Sequence, residues 1–247
     1  MIDALKRASA YRINVVIPYF GYARQERKTK PRDPISAKLV ANVITVAGAD
    51  RVISADLHAG QIQGFFDIPV DHLTGMPLLA SYFREVLSSE SAAGSIVVVA
   101  PDVGGVVRAR KFAGSLKADS RHSGQAGDPM RWPTLRGNGH HRGCKWGKTA
   151  VLVGDIIDTA GTICNAAALI KERGAVKVYA CATHGVLSGP AFERLENSSI
   201  DRMVLTDTIP LPESKKSDKI IQLSIAPLFA EAILRVHSDR SVSSLFD

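Results

Sequence analysis

Cysteine is scarce in this chain. Cys144, Cys164 and Cys181 are an odd set with no Cys-x-x-Cys pair. That argues against a disulfide framework or a Cys-based zinc site and fits a reducing, cytoplasmic setting. No apolar run approaches the roughly 20 residues of a membrane span. The opening Met1-Ile2-Asp3-Ala4-Leu5-Lys6-Arg7 has no apolar signal-peptide region, so no membrane partner is expected. A strong charge of one sign is also missing from most of the chain. The net charge is +7, but residues 114–146 hold six basic and two acidic residues, which is +4 and leaves +3 for the rest. That is too little for a nucleic-acid-binding face. The 247 residues are 45% hydrophobic, enough for a sizeable core in one or two domains.

Strand and helix patterns alternate along the chain. Apolar β-branched runs predict strands at 13–17, 51–55, 68–73, 96–100, 148–153, 176–182, 202–205 and 219–223. Helical spacing follows most of them. Asp33-Pro34 reads as a cap with Pro in the first turn, before Ile35, Leu39, Val43 and Val46, and Gly48 ends that helix. Further helices are expected over 77–87, 106–113, 165–171, 190–195 and 226–236. This alternation implies an α/β fold with mostly parallel sheets. Functional loops then belong at the carboxyl ends of strands. The loops at Asp56-Leu57-His58, Asp102, 154–162 and Thr183-His184 all lie there.

Each loop has two readings. In 154–162 (Gly154-Asp155-Ile156-Ile157-Asp158-Thr159-Ala160-Gly161-Thr162) a strand runs through small and hydroxylated residues into a helix. Outward backbone N–H groups, the helix dipole and two hydroxyls make a phosphate cradle; an ordinary strand-to-helix turn with an Asp or Thr cap has the same pattern. Asp56 and His58 can face one side of extended backbone, and Asp67 and Asp71 follow shortly after. Such oxygen-rich groups suit Mg²⁺, which shares its coordination with water and phosphates, but a capped turn and solvated carboxylates fit equally. Asp102 before Gly104-Gly105 suits sugar hydroxyls, a metal or a helix cap. Arg24-Gln25 offers a cation for polyphosphate and an amide for a base edge, or is simply a solvated loop.

Taken together, these loops resemble the ribose-phosphate pyrophosphokinase family. The matching text is Val16-Ile17-Pro18-Tyr19-Phe20-Gly21-Tyr22-Ala23-Arg24-Gln25, Pro34-Ile35-Ser36-Ala37-Lys38-Leu39, Asp56-Leu57-His58-Ala59-Gly60-Gln61-Ile62-Gln63-Gly64-Phe65-Phe66, Pro101-Asp102-Val103-Gly104-Gly105, Asp155-Ile156-Ile157-Asp158-Thr159-Ala160-Gly161-Thr162 and Thr183-His184-Gly185. The resemblance implies two phosphoribosyltransferase-type domains, the first incomplete: 1–76, then 77–238, with 239–247 as a tail. It implies transfer of the diphosphoryl group of ATP to the 1-hydroxyl of ribose 5-phosphate, with Mg²⁺, in nucleotide biosynthesis. By resemblance, ATP falls to Arg24, Gln25 and His58. Ribose 5-phosphate falls to Asp102, Asp155, Asp158, Thr159, Ala160, Gly161 and Thr162. The metal falls to His58, Asp102, Asp56, Asp67 and Asp71. A homo-oligomer is implied, a hexamer or larger ring.

The chain also departs from the family. It begins inside the family's N-terminal domain. Gly154 stands where the family has the first Asp of an acidic pair. Residues 114–146 lack Ile, Val, Phe and Tyr and show no period of 2 or 3.6, which predicts neither strand nor helix there. Abrupt loss of pattern with restored register is what a frame-shifted stretch leaves, so 114–146 is expected to be an aberrant insert. His140, His141 and Cys144 have no matching second pair for a metal site. The family's mobile-loop Lys and Arg cannot be placed there, so no catalytic residue is assigned and little or no turnover is expected. The alternatives are a non-catalytic homologue that binds nucleotide or phosphoribosyl ligands, and a phosphoribosyltransferase. The signature from Asp56 to Asp71 speaks against the last.

Overall fold

The computed structural model describes residues 1–88, 96–122, 147–215 and 217–245. Backbone contacts divide the chain into two units, Met1–Gly75 with Ile225–Asp247, and Met76–Ser224. The expectation kept 77–238 in one domain and 239–247 as a tail. Instead, the last helix and the tail group with the first unit. Arg12 is one cause: it donates to the Val236 carbonyl at 3.3 Å and pairs with Asp239 at 3.0 Å.

The first unit starts with helix α1 (Ile2–Arg7), which buries none of its residues. Strands β1 (Asn14–Ile17), β2 (Arg51–Ala55) and β3 (Val70–Leu73) form a parallel sheet in that order. Helix α2 (Ser36–Val46) joins the first two. Its buried face is Ala37 and Ala41, flanked by Val40 and Ile44. The stripe expected inside lies outside: Leu39 is 59% exposed, Val43 60% and Val46 87%. Both stripes have helical spacing, and the two alanines let the helix approach its neighbours closely. Asp33 is not the cap; its carboxylate accepts the Thr29 hydroxyl and the Lys30 N–H at 2.7 and 2.8 Å, closing the loop before the helix. Gly48 does end α2, at φ +103°, where a Cβ would lie 2.5 Å from Cδ of Lys6. Helix α7 (Ala226–His237) completes this unit.

The second unit carries α3 (Met76–Val86), β4 (Ile96–Ala100), α4 (Val106–Leu116), β5 (Asp119–His122), β6 (Thr149–Val153), β7 (Ile156–Ile157), α5 (Gly161–Glu172), β8 (Lys177–Ala182), β9 (His184–Gly185), α6 (Ala191–Glu196), β10 (Arg202–Thr206) and β11 (Ile220–Leu223). Six strands form one parallel sheet in the order β11-β10-β8-β6-β4-β5. Alternate strand residues divide between two cores. Val97, Val99, Ala150, Leu152, Val178, Ala180 and Met203 meet Ile163, Ala167 and Ile170 of α5 and Leu195 of α6. Val98, Val151, Tyr179, Cys181 and Val204 meet Leu79 and Phe83 of α3 and Phe112 of α4. Covered on both faces, β4 and β6 are buried at every position, which is why they read as unbroken apolar runs. Phe83 sits edge-on to Phe112, with ring centroids 6.1 Å apart, and 5.9 Å from Tyr179. The architecture is α/β with parallel sheets, as expected.

Part of the 114–146 expectation is corrected. Helix α4 continues to Leu116, and 119–122 form an edge strand in register with Val97–Ala100 of β4. Main-chain pairing to an existing strand needs no apolar pattern in the added one. Residues 123–146, with His140, His141 and Cys144, lie outside the described residues. Among the described residues no helix is long and apolar enough to cross a membrane.

Candidate functional site

In the first unit the loops after β1 and β2 rest on one apolar cluster. Ala23, Leu57 and Ile62 all belong to it, and Phe20 meets Phe66 with ring centroids 5.9 Å apart. Arg24 and Gln25 are exposed on the 3-10 turn Ala23–Gln25, and His58 is exposed after Leu57. Gln61 Nε2 donates to Glu26 at 3.4 Å, tying the two loops.

The acidic residues of this unit are not gathered as a metal cage. Asp56, at φ +36°, accepts the Thr74 hydroxyl on Oδ1 at 3.0 Å and the Gly75 N–H on Oδ2 at 2.8 Å. It braces a strained turn. Asp71 is 5% exposed and gives both oxygens to Arg51 Nη1, at 2.9 and 2.8 Å. This ion pair sits away from the carboxyl end of the sheet, because Asp71 is aligned with Ile53 in the middle of β2. Asp67 is exposed on its loop, 3.9 Å from Lys38 Nζ. Among the described residues no group of three or more His, Cys, Asp or Glu could hold a metal ion. The sequence reading missed His72. Its Nε2 accepts the Leu57 N–H at 2.8 Å, and burial pushes its pKa below the ordinary value while Asp56 pulls it back up. The imidazole is therefore neutral, with the proton on Nδ1.

In the second unit strand order reverses at β4: the chain goes outward to β5, then returns to β6 on the other side. A crevice at the carboxyl ends of the strands opens at such a switch point. Its two lips are the loops at 101–105 and 154–162. On the first, Asp102 Oδ1 accepts the Gly105 N–H at 2.9 Å, closing the turn into α4. A Cβ on Gly104 would lie 3.3 Å from that same oxygen. Asp102 itself is exposed. Arg108, in the first turn of α4, reaches across with Nη2 at 3.4 Å from Asp155 Oδ2. The two side chains are 23% and 14% exposed.

On the second lip, Gly154 is buried and donates its N–H to the Cys181 carbonyl at 2.9 Å. A Cβ at 154 would meet only ordinary contacts, the nearest being Ile157 Cδ1 at 3.6 Å. Helix α5 then starts at Gly161 after Ala160 at φ +59°, a left-handed conformation in a residue with a Cβ. Ala160, at the N-cap position, makes no side-chain cap hydrogen bond, and the first-turn N–H groups of a helix have no partner within the helix itself. Later segments hold the loop in place. His184 N–H donates to the Asp155 carbonyl at 2.8 Å, and Leu187 N–H to that of Ile157 at 3.1 Å. Ser188 donates its hydroxyl to Asp158 Oδ1 and its N–H to the Asp158 carbonyl. Arg194 Nη1 donates to the Thr159 carbonyl at 2.9 Å. Thr159 and Thr162 are exposed. No local signal marked Ser188 or Arg194, which lie beyond α5, β8 and β9.

Such a loop presents main-chain donors, hydroxyls and a helix dipole to an anion, with carboxylates beside it for sugar hydroxyls. Residues 1–48 match the N-terminal domain of ribose phosphate pyrophosphokinase, and residues 141–247 match the phosphoribosyl synthetase-associated domain. A ribose-phosphate pyrophosphokinase of Caldanaerobacter subterraneus is 57% identical over 252 residues, covering 100% of this chain and 76% of the relative. One from Oceanobacillus iheyensis is 57% identical over 247 residues, covering 100% of this chain and 75% of the relative. The crystal structure of phosphoribosylpyrophosphate synthetase from Mycobacterium smegmatis superposes with a TM-score of 0.84 at 44% identity, covering 97% of this chain and 76% of that one.

Proposed function

The chain belongs to the ribose-phosphate pyrophosphokinase family, and we propose how its residues divide the work of that enzyme. The activity is transfer of a diphosphoryl group from ATP to ribose 5-phosphate, giving 5-phosphoribosyl 1-diphosphate and AMP, a step of nucleotide biosynthesis. No finding favours the non-catalytic homologue or the phosphoribosyltransferase.

Residues 158–162 hold the 5-phosphate. The observation that carries this is the start of α5 at Gly161, directly behind Ala160 in its left-handed conformation. A left-handed Cβ residue costs about 1–3 kcal/mol and persists where the surroundings enforce it. Here Ser188 and Arg194 hold the two residues that precede it. Asp155, fixed by Arg108, and Asp102 accept hydrogen bonds from ribose hydroxyls. Arg24 and Gln25 bind ATP, and exposed His58 sits beside its phosphates. These residues orient the 1-hydroxyl oxygen for in-line attack on the β-phosphorus while AMP leaves. Such chemistry needs positioning and charge neutralisation more than a covalent intermediate.

The donors fit a hydrated Mg²⁺ delivered with the substrate phosphates better than an all-protein cage. In the second unit Asp102, with one oxygen engaged by Gly105, is the residue that would hold it, and in the first unit exposed His58 is. Bound there, it would neutralise developing charge on the phosphates. Asp71 and Asp67 are left out, and Asp56 is a brace. We place the enzyme in the cytoplasm as a homo-oligomer, on the sparse cysteines and the family.

The test is AMP release from ATP and ribose 5-phosphate with Mg²⁺. The pattern of 114–146 led to an expectation of little or no turnover; identity of 57% across the whole chain supports the opposite, so the expected result is AMP formed in step with the diphosphate product. Ribose 5-phosphate binding without AMP release would return the binding homologue to first place.

A further inference from the structure

A phosphate dianion placed at 158–162 would sit beside two carboxylates, Asp155 and Asp158. Asp155 pairs with Arg108, and Asp158 accepts the Ser188 hydroxyl. A positive charge for the dianion comes from α6. Arg194 Nη1 lies 2.9 Å from the Thr159 carbonyl and 3.4 Å from where a Cβ on Gly161 would be. The guanidinium therefore lies against the first residue of α5, at the N-terminal turn of that helix. Cys164 Sγ, one turn into α5, lies 3.6 Å from the Arg194 carbonyl and fastens the two helices there. Arg194 is exposed, and among the described residues its side chain makes one hydrogen bond. A guanidinium has five N–H donors in a rigid fork, so the others remain for a ligand.

We propose that Arg194 is a phosphate-binding residue of this site: one arm of its fork holds the Thr159 carbonyl and the other takes an oxygen of the 5-phosphate. The inference rests on reading 158–162 as the ribose 5-phosphate cradle. It also gives a reason for glycine at 161: any side chain there would press on the guanidinium.

Isothermal titration of the full chain with ribose 5-phosphate tests it, using the native chain, Arg194→Gln, Arg194→Met and Arg194→Lys at low and high salt. The exposure of Arg194 makes all three substitutions compatible with folding, which circular dichroism checks. Gln keeps an N–H for Thr159 but has no charge. The expected result is about 10-fold to 100-fold weaker binding for both Gln and Met, the range of one charge-assisted hydrogen bond. Lys should recover part of the loss. Native binding should weaken more steeply with salt than binding by the Gln variant. Gln binding as tightly as the native chain would remove Arg194 from the site and leave the cradle standing. Loss in Gln and Met with an unchanged salt slope and no recovery in Lys would make Arg194 a brace only, and overturn the proposal. A native chain that does not bind ribose 5-phosphate at all would remove the cradle and Arg194 together.

Discussion

Two acidic loops of this chain follow parallel strands, and they are held in different ways. The loop at 56–58 is fixed from close by in sequence: His72 accepts the Leu57 N–H, and Thr74 and Gly75 donate to Asp56. It stands on a three-stranded sheet. The loop at 154–162 is fixed from far away, by Arg108 before it and by Ser188 and Arg194 after it. It stands on a six-stranded sheet with a core on each face. One support contains a histidine whose pKa burial holds below its ordinary value; the other relies on a hydroxyl and guanidinium groups. The first loop is therefore expected to respond to pH, and the second to the packing of its sheet.

The largest effect should come from cutting into that packing. Phe83→Ala removes a fully buried ring between Phe112 and Tyr179 and should cost about 3–5 kcal/mol, read by urea denaturation. A cost near zero would mean that the six-stranded unit does not depend on this core. Next, Thr159→Val should weaken ribose 5-phosphate binding by about 1–3 kcal/mol, the range for a hydrogen bond to a charged group, and leave ATP binding unchanged. Equal affinity for ribose 5-phosphate would sink the cradle assignment.

The first loop is tested by pH. Burial holds the folded pKa of His72 below its ordinary 6.5, so the unfolded chain binds that proton more tightly. The contribution of His72 to stability is fully present above pH 6.5 and is lost as pH falls from there toward the folded pKa. His72→Asn keeps an acceptor for Leu57 without a titrating group. It should flatten the decline in stability of the first unit between neutral and mildly acidic pH, measured by denaturation at each pH. An undiminished slope would assign the pH response elsewhere. The smallest effect belongs to Val46→Ala, at a site 87% exposed, where stability should move by no more than about 0.5 kcal/mol. A larger loss would show that the exposed stripe of α2 is covered in solution.

Much of the site was visible as text, though not its arrangement. The strand-loop-helix pattern at 148–171 led directly to β6, the 154–162 loop and α5, because period and small residues carry that information locally. Asp102 was open between ligand and cap. Asp102 is not the helix cap: one of its oxygens closes the turn before α4, a use that leaves the other for a ligand. Asp71 looked like a metal ligand because it lies close to Asp56 in sequence. Its partner Arg51 belongs to the neighbouring strand, and only pairing in the sheet brings them together. The α2 stripe failed for another reason. Leu39, Val43 and Val46 share one face, Ala37, Val40, Ala41 and Ile44 share another, and helical spacing alone cannot rank the two. The polar run at 119–122 had no strand pattern, yet β4 offered it an open edge.

The sequence by itself determined the alternation of strands and helices, the buried character of β4 and β6, the family, and the place of each functional loop at a strand's end. These follow from periodicity and local chemistry, which act over a few residues. Tertiary structure decided which carboxylates are tied up within the protein, as Asp56 and Asp71 are, and which, like Asp102, stand exposed. It also decided which face of α2 is covered, and brought Arg108, Ser188 and Arg194 to the cradle. Those outcomes depend on side chains from distant segments meeting at one point, and nothing in the local pattern of either segment encodes the meeting.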